Sequence, residues 1–99
     1  MIIITSDTYM NLIHNQLISY GHVEDLSPIE STLLQILLLQ KNIPQDRQWV
    51  VKQIWDEPEE APIRMNKAVC RLRKLFSQDN RLQLIAKRKK NITLFIEDV

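Results

Sequence analysis

One segment of this chain is apolar on nearly every side. Residues 28 to about 40 contain five leucines and two isoleucines, which leave almost no polar face if the segment is helical. Ser27 is a preferred N-cap residue, Pro28 suits the first helical position, and Glu30 completes the spacing of a capping box. A helix that is apolar all round is buried, so this segment is expected in the middle of a folded domain.

A second helix is predicted shortly after the first. Residues 42–45, Asn-Ile-Pro-Gln, interrupt the first helix, and Asp46 is a candidate N-cap. Apolar residues then recur at helical spacing, at Val50, Val51 and Ile54. Trp55 ends the segment and is expected in the core, whereas Trp49 is expected partly at the surface.

A third helix is predicted over residues 63–76. A single apolar stripe runs along it at helical spacing, formed by Met65, Val69, Leu72 and Phe76. The opposite face is polar and mostly basic: Asn66, Lys67, Cys70, Arg71, Arg73 and Lys74. Residues 56–62, before this helix, contain four acids and two prolines and therefore predict an acidic loop.

Strand patterns flank the three helices. Residues 1–26 predict a small antiparallel sheet with strands at 2–4, 9–13, 17–20 and 22–26, in which Gly21 suits a tight turn and residues 14–16 another. Residues 77–99 predict a β-hairpin, with strands at 82–85 and 92–96 joined by a basic tip in which Asn91 could adopt the left-handed conformation. The expected fold is α+β: one domain over residues 1–99, with a sheet (1–26), a three-helix core (27–76) and a hairpin (77–99).

Charge is divided between the two ends of the chain. Residues 61–99 contain ten Lys and Arg and three acids, a balance of +7, whereas residues 1–60 contain three bases and nine acids, a balance of −6. The net charge of +1 conceals this division. A basic end produces a positive field that attracts polyanions. A basic helix face and a basic hairpin at that end therefore predict a nucleic-acid-binding protein.

Several classes of function are disfavoured by the sequence. The chain lacks a Gly-rich phosphate loop, a nucleophile elbow and an HExxH pair, so no catalytic residue is assigned and an enzyme is not expected. The one cysteine excludes an internal disulfide, and His14 and His22 lack the spacing of a metal site, so neither metal nor cofactor is predicted, and no small-molecule ligand is evident. No apolar run approaches the ~18 residues of a membrane span, and residues 1–4 are too short for a signal-peptide core.

Three stretches resemble a known family, the winged helix-turn-helix DNA-binding domains of the OmpR/PhoB class, and most closely its ToxR/CadC branch. Leu26-Ser27-Pro28-Ile29-Glu30 with Leu33-Leu34 is similar to the start of that family's first helix. Asp46 to Trp55 is similar to its second helix, and Met65 to Lys74 resembles its recognition helix at ten consecutive positions. The chain departs from the family pattern in having no Gly-Tyr after the basic turn of the wing.

The resemblance implies sequence-specific binding of double-stranded DNA by the effector domain of a bacterial transcription regulator, similar to those of two-component systems. Helix 63–76 would enter the major groove, and the basic wing tip at residues 87–91 would approach the minor groove. The resemblance also implies weak homodimers on tandem sites, contact between loop 56–62 and RNA polymerase, and a cytoplasmic domain, in some relatives anchored in the inner membrane.

Individual roles follow from side-chain chemistry. Asn66, Lys67, Cys70 and Arg71 are the predicted base contacts, since Asn can read adenine and Arg can read guanine. Arg71 and Arg73 point about 200° apart on a helix, so both cannot face one base pair. The predicted phosphate contacts are Arg47, Arg64, Arg73 and Lys74. The wing-tip residues Lys87, Arg88, Lys89 and Lys90 are predicted to enter or straddle the minor groove. The acids of the expected polymerase-facing loop are Asp56, Glu57, Glu59 and Glu60.

Alternative interpretations remain open at this point. A basic helix face can be merely solvated, and Cys70 is either a redox sensor or a small residue that fits close to DNA. Winged helices also act as protein-docking modules, since fold does not determine function. RNA binding is disfavoured, because no aromatic residue interrupts the basic run from 64 to 74.

Overall fold

The computed structural model describes residues 1–55, 61–87 and 90–97 of the chain. Its first element is a four-stranded antiparallel sheet with strands in the order β1-β2-β3-β4. The strands are β1 (Ile2–Ile3), β2 (Thr8–Asn11), β3 (Gln16–Ser19) and β4 (His22–Asp25). The sheet predicted over residues 1–26 is therefore confirmed, although Gln16, expected in a turn, is the first residue of β3.

A two-residue turn joins β3 to β4. Ser19 pairs with His22, and the intervening Tyr20 and Gly21 have φ angles of 51° and 78°. Positive φ at both central positions matches the right-handed twist of the flanking strands, and glycine adopts it without steric cost. The prediction of a tight turn at Gly21 is confirmed.

The first helix, α1 (Pro28–Leu39), begins at the predicted capping box. Ser27 Oγ accepts a hydrogen bond from the backbone N–H of Glu30 at 3.1 Å, and Glu30 Oε1 accepts one from the backbone N–H of Ser27 at 3.0 Å. Leu33, Leu34 and Leu37 are fully buried. The apolar segment thus lies in the centre of the domain, as its composition predicts.

The second and third helices are α2 (Arg47–Ile54), capped by Asp46, and α3 (Ala61–Phe76). The prediction that residues 61 and 62 belong to a loop is wrong, since α3 begins two residues earlier than expected. Proline is tolerated in the first turn of a helix, where its missing N–H has no intrahelical partner. Residues 56–60 of that predicted loop lie outside the described residues.

A second antiparallel sheet is formed by β5 (Gln45–Asp46), β6 (Leu82–Ala86) and β7 (Asn91–Ile96), in the order β5-β7-β6. The hairpin of β6 and β7 was predicted, but β5 was not. Asn91 does not adopt the left-handed conformation suggested for it, because it pairs with Asp46 in the ladder between β5 and β7. Asn42 adopts that conformation instead, with φ at 64°.

The helices and the two sheets enclose one apolar core. Met10 and Leu17 of the first sheet, Met65 and Leu72 of α3, and Leu94 of β7 all belong to it. Trp55 packs against this core, whereas Trp49 is 46% exposed, as predicted for both. The described residues thus form an α+β fold with three helices and two antiparallel sheets.

Candidate nucleic-acid interface

The outward face of α3 is polar along its described length. Its buried side chains are Met65, Ala68, Val69, Leu72, Leu75 and Phe76. Every residue predicted to contact DNA from this helix is exposed: Arg64, Asn66, Lys67, Cys70, Arg71, Arg73 and Lys74. Helix α3 contains no Asp or Glu. The face can therefore approach a polyanion without like-charge repulsion from its own side chains.

A narrower strip lies at the centre of this face. At about 100° per residue, five side chains fall within roughly 100° of the helix circumference; they are Ile63, Asn66, Lys67, Cys70 and Lys74. Ile63 is 67% exposed and was not among the predicted contacts. In the sequence, the signal for this contact is an isoleucine placed at the start of an otherwise polar helix face. These five residues form the central strip of α3.

Arg71 lies on one flank of the strip, against the N-terminal sheet. Its Nη2 donates to the backbone carbonyl of Asp25 at 3.2 Å and lies 3.7 Å from Glu24 Oε2. Its Nη1 lies 3.9 Å from Glu30 Oε1, the carboxylate of the capping box. The guanidinium thus joins α3 to β4 and to the start of α1.

Arg73 lies on the opposite flank, against the hairpin. Its Nε donates to the backbone carbonyl of Leu84 in β6 at 3.0 Å. The angle of about 200° expected between Arg71 and Arg73 from helical geometry therefore directs one to each sheet. Both arginines hold α3 in place between its neighbours, and the central strip lies between them.

Arg47 contacts α3 from α2. Its Nη2 donates to Asn66 Oδ1 at 2.8 Å. The structure thus brings together Arg47, a predicted phosphate contact, and Asn66, a predicted base contact. The two residues lie 19 positions apart along the chain, so no local sequence pattern predicts this hydrogen bond.

The loop end of the hairpin is hydrogen-bonded to the start of α2. The backbone N–H of Arg47 donates to the carbonyl of Lys90 at 2.9 Å, and the N–H of Lys87 donates to the carbonyl of Asn91 at 2.9 Å. The side chains of Lys87 and Lys90 are exposed. Arg88 and Lys89 of the predicted wing tip lie outside the described residues, as do the loop acids Asp56, Glu57, Glu59 and Glu60.

A buried ionic cluster that the sequence reasoning missed joins the N-terminal sheet to the segment after α3. Asp79 is fully buried and accepts hydrogen bonds from Thr5 Oγ1 and Thr8 Oγ1, both at 2.7 Å, and from Arg81 Nε at 2.9 Å. Arg81 Nη2 also lies 2.7 Å from Asp7 Oδ2. More than seventy positions separate the threonines from Asp79, so no local pattern pointed to this cluster.

The cluster shifts the pKa values of both its charged members. Burial raises the pKa of Asp79, but the hydrogen bonds from Arg81, Thr5 and Thr8 together outweigh it and hold that pKa well below its ordinary value of 3.8. Hydrogen bonds to Asp79 and Asp7 raise the pKa of Arg81 further above its ordinary range. Asp79 is therefore a carboxylate throughout the neutral and mildly acidic range.

Other candidate ligand groups are dispersed. Cys70 is exposed, and His22 Nε2 lies 2.8 Å from Glu24 Oε1 on the surface. Among the described residues, no group of three or more His, Cys, Asp or Glu side chains is arranged to hold a metal ion. Within the same residues, no helix has the length and apolar character to cross a membrane.

No protein-family model matches this chain, and no curated protein matches it as a relative.

Proposed function

We propose that this chain is a sequence-specific, double-stranded DNA-binding domain of a transcription regulator of bacterial type, with a winged helix-turn-helix architecture. Helix α3 acts as the recognition helix in the major groove, and the hairpin of β6 and β7 acts as the wing at the adjacent minor groove. The observation that carries the proposal is the central strip of α3, exposed, free of acids and bordered by basic side chains.

The chemistry of the central strip suits base recognition. The major groove admits an α-helix and presents donors, acceptors and the thymine methyl group. Asn66 can read adenine, Lys67 can donate to guanine, and Ile63 can pack against a thymine methyl. Cys70 is small enough to allow close approach of the helix backbone. These four residues are the proposed base contacts.

Phosphate contacts are assigned to the basic side chains around the strip. Lys74 belongs to the strip itself, Arg64 and Arg47 lie beside it, and Lys87 and Lys90 lie at the loop end of the hairpin. Arg71 and Arg73 already use one N–H each on a backbone carbonyl. Each guanidinium has five N–H donors, so further contacts with phosphate oxygens are compatible with these bonds.

The charge distribution supports the same orientation. Residues 1–26 contain Asp7, Glu24 and Asp25 but no Lys or Arg. The N-terminal sheet therefore contributes no basic side chain, whereas α3 and the hairpin are attracted to a polyanion. This field places α3 towards DNA and the outer face of the first sheet away from it. Binding DNA also implies that the domain resides in the cytoplasm.

A salt titration of duplex binding tests the proposal. Fluorescence anisotropy of a labelled random duplex should give a slope of log K against log salt between about −4 and −7, for about five to eight neutralised phosphates. Lys67→Glu should abolish binding, whereas Lys41→Glu, an exposed residue between α1 and β5, should weaken it only slightly. A folded wild-type protein that fails to bind duplex at low salt would overturn the proposal.

A second candidate function, protein docking, is favoured by an apolar row on the first sheet. Strand register aligns Ile3, Tyr9, Ile18 and Val23 across all four strands. Ile3 is 75% and Val23 50% exposed, whereas Ile18 between them is buried. This face would serve contacts with protein, such as the weak homodimer on tandem sites, whereas RNA polymerase is expected to contact residues 56–60. Retained partner binding without DNA affinity would favour docking as the main role.

A further inference from the structure

The side chain of Arg47 lies between α2 and the recognition face of α3. Arg47 is the first residue of α2, and its backbone N–H donates to the carbonyl of Lys90 at the loop end of the hairpin. Its guanidinium reaches across to Asn66 Oδ1 at 2.8 Å. The backbone of Arg47 is thus held by the hairpin while its side chain contacts a residue of the central strip.

This hydrogen bond determines which way the Asn66 amide points. A guanidinium has donors and no acceptor, so only the oxygen of the amide can be its partner. The reversed amide would direct its NH₂ group at a cation. Asn66 Oδ1 therefore faces Arg47, and Nδ2 faces away from it.

The groups that remain on Asn66 are those that recognise adenine. An amide reads adenine by accepting from N6–H and donating to N7. The oxygen of an amide has two lone pairs, of which Arg47 uses one, so the other remains for the base. Arg47 retains further N–H groups in a rigid fork that suits a phosphate oxygen. One arginine can therefore contact a phosphate and an amide simultaneously.

We propose that Arg47 is a specificity-determining positioning residue, which holds the Asn66 amide in one orientation to read an adenine while its other N–H groups contact a phosphate. This inference rests on the proposed DNA-binding function. The Arg47–Asn66 bond is exposed in the free protein, and it strengthens when DNA excludes water from the face. Phosphate binding and base reading are then coupled through a single side chain.

The experiment begins with a binding site selected by the wild-type domain from a random duplex library. Asn66→Ala then identifies the base pair that Asn66 reads, as the position where preference for adenine falls by about tenfold. Arg47→Ala, the double variant and the control Lys74→Ala are measured on this site and on its three single-base variants at that pair. Thermal unfolding verifies that each variant is folded.

The expected result is that Arg47→Ala lowers the preference for adenine at that one pair by about fivefold or more. The double variant should retain at least as much preference for adenine at that pair as Asn66→Ala alone. Both substitutions disrupt the same arrangement, the Asn66 amide held by Arg47. Lys74→Ala, a phosphate contact, should weaken all four sequences equally and leave the preference unchanged.

Two results would overturn the inference while leaving DNA binding intact. In the first, Arg47→Ala weakens all four sequences equally, which makes Arg47 a phosphate contact alone. In the second, Asn66→Ala changes the preference at no base pair, so there is no reading for Arg47 to support. Failure of the folded wild-type protein to bind any duplex would overturn the proposed function and this inference together.

Discussion

Asp79 and Arg81, two positions apart in the chain, form a bidentate ion pair. Nε of Arg81 donates to Asp79 Oδ1 at 2.9 Å, and Nη2 donates to Oδ2 at 3.0 Å. The Asp79 side chain has no exposed surface. Thr5 and Thr8, from the other end of the chain, donate to the same carboxylate. The pair therefore anchors the N-terminal sheet to the segment that connects α3 with the hairpin.

Asp79→Asn should lower the free energy of unfolding by about 3 kcal/mol, because it leaves a desolvated cluster without its charge. The matched control is Asp7→Asn, which removes a partner of Arg81 whose side chain is 43% exposed. An exposed ion pair is worth at most about 1 kcal/mol. Urea unfolding of both variants measures the difference, and equal losses would show that burial of Asp79 is not the cause.

The stability of the fold should also depend on this carboxylate at low pH. The folded pKa of Asp79 is depressed below its ordinary 3.8, so its contribution is fully present above that value. It is lost as the pH falls through the folded pKa, because protonation then favours the unfolded chain. Urea midpoints between near pH 5 and near pH 2 should fall more steeply for the wild type than for Asp79→Asn. Parallel curves would contradict this assignment.

Removal of the α1 N-cap should have a smaller effect. Ser27→Ala deletes the acceptor for the Glu30 N–H and should cost about 1 kcal/mol of stability. Thr32→Ala, at an exposed position within the same helix, provides the control and should be close to neutral, since alanine has the higher helix propensity. Thermal unfolding of the two variants measures the difference. An unchanged stability of Ser27→Ala would show that the N-cap does not stabilise the fold.

Arg71 and Lys67 should separate structural from recognition effects. The sequence alone suggested that Arg71 reads a base, but its guanidinium contacts Asp25, Glu24 and Glu30. Lys67→Ala should therefore weaken specific binding by about 1–3 kcal/mol and alter base preference. Arg71→Ala should lower thermal stability and leave base preference unchanged. Competition binding on a selected site measures both affinity and base preference. A changed base preference in Arg71→Ala would show that Arg71 contacts a base after all.

The acids of residues 56–60, before α3, should act on transcription rather than on DNA. Reversing Glu59 and Glu60 to lysine should reduce activated transcription while DNA affinity is retained, if the loop faces RNA polymerase. Reversal of the exposed acid Glu97 is the matched control and should leave transcription unaltered. Loss of DNA affinity together with transcription would argue against a separate partner surface.

Local sequence patterns were sufficient to predict most elements of the fold. The capping box at Ser27 and Glu30, the N-cap at Asp46 and the single apolar stripe of α3 each depend on residues within a few positions of one another, so their physics is readable along the chain. The polar face of α3 follows from the same periodicity. The two-residue strand β5 was missed, because so short a strand exists only where β7 supplies its hydrogen bonds.

The sequence by itself thus determined the order of the helices and of every strand except β5, the apolar centre of α1 and the division of charge that leaves α3 basic. Only the tertiary structure decided which basic residues face outward at the centre of α3 and which hold the helix against its neighbours. Arg71 against β4, Arg73 against β6 and Arg47 against Asn66 are long-range contacts. Their partners are set by how helices and sheets pack, and no spacing along the chain encodes that packing.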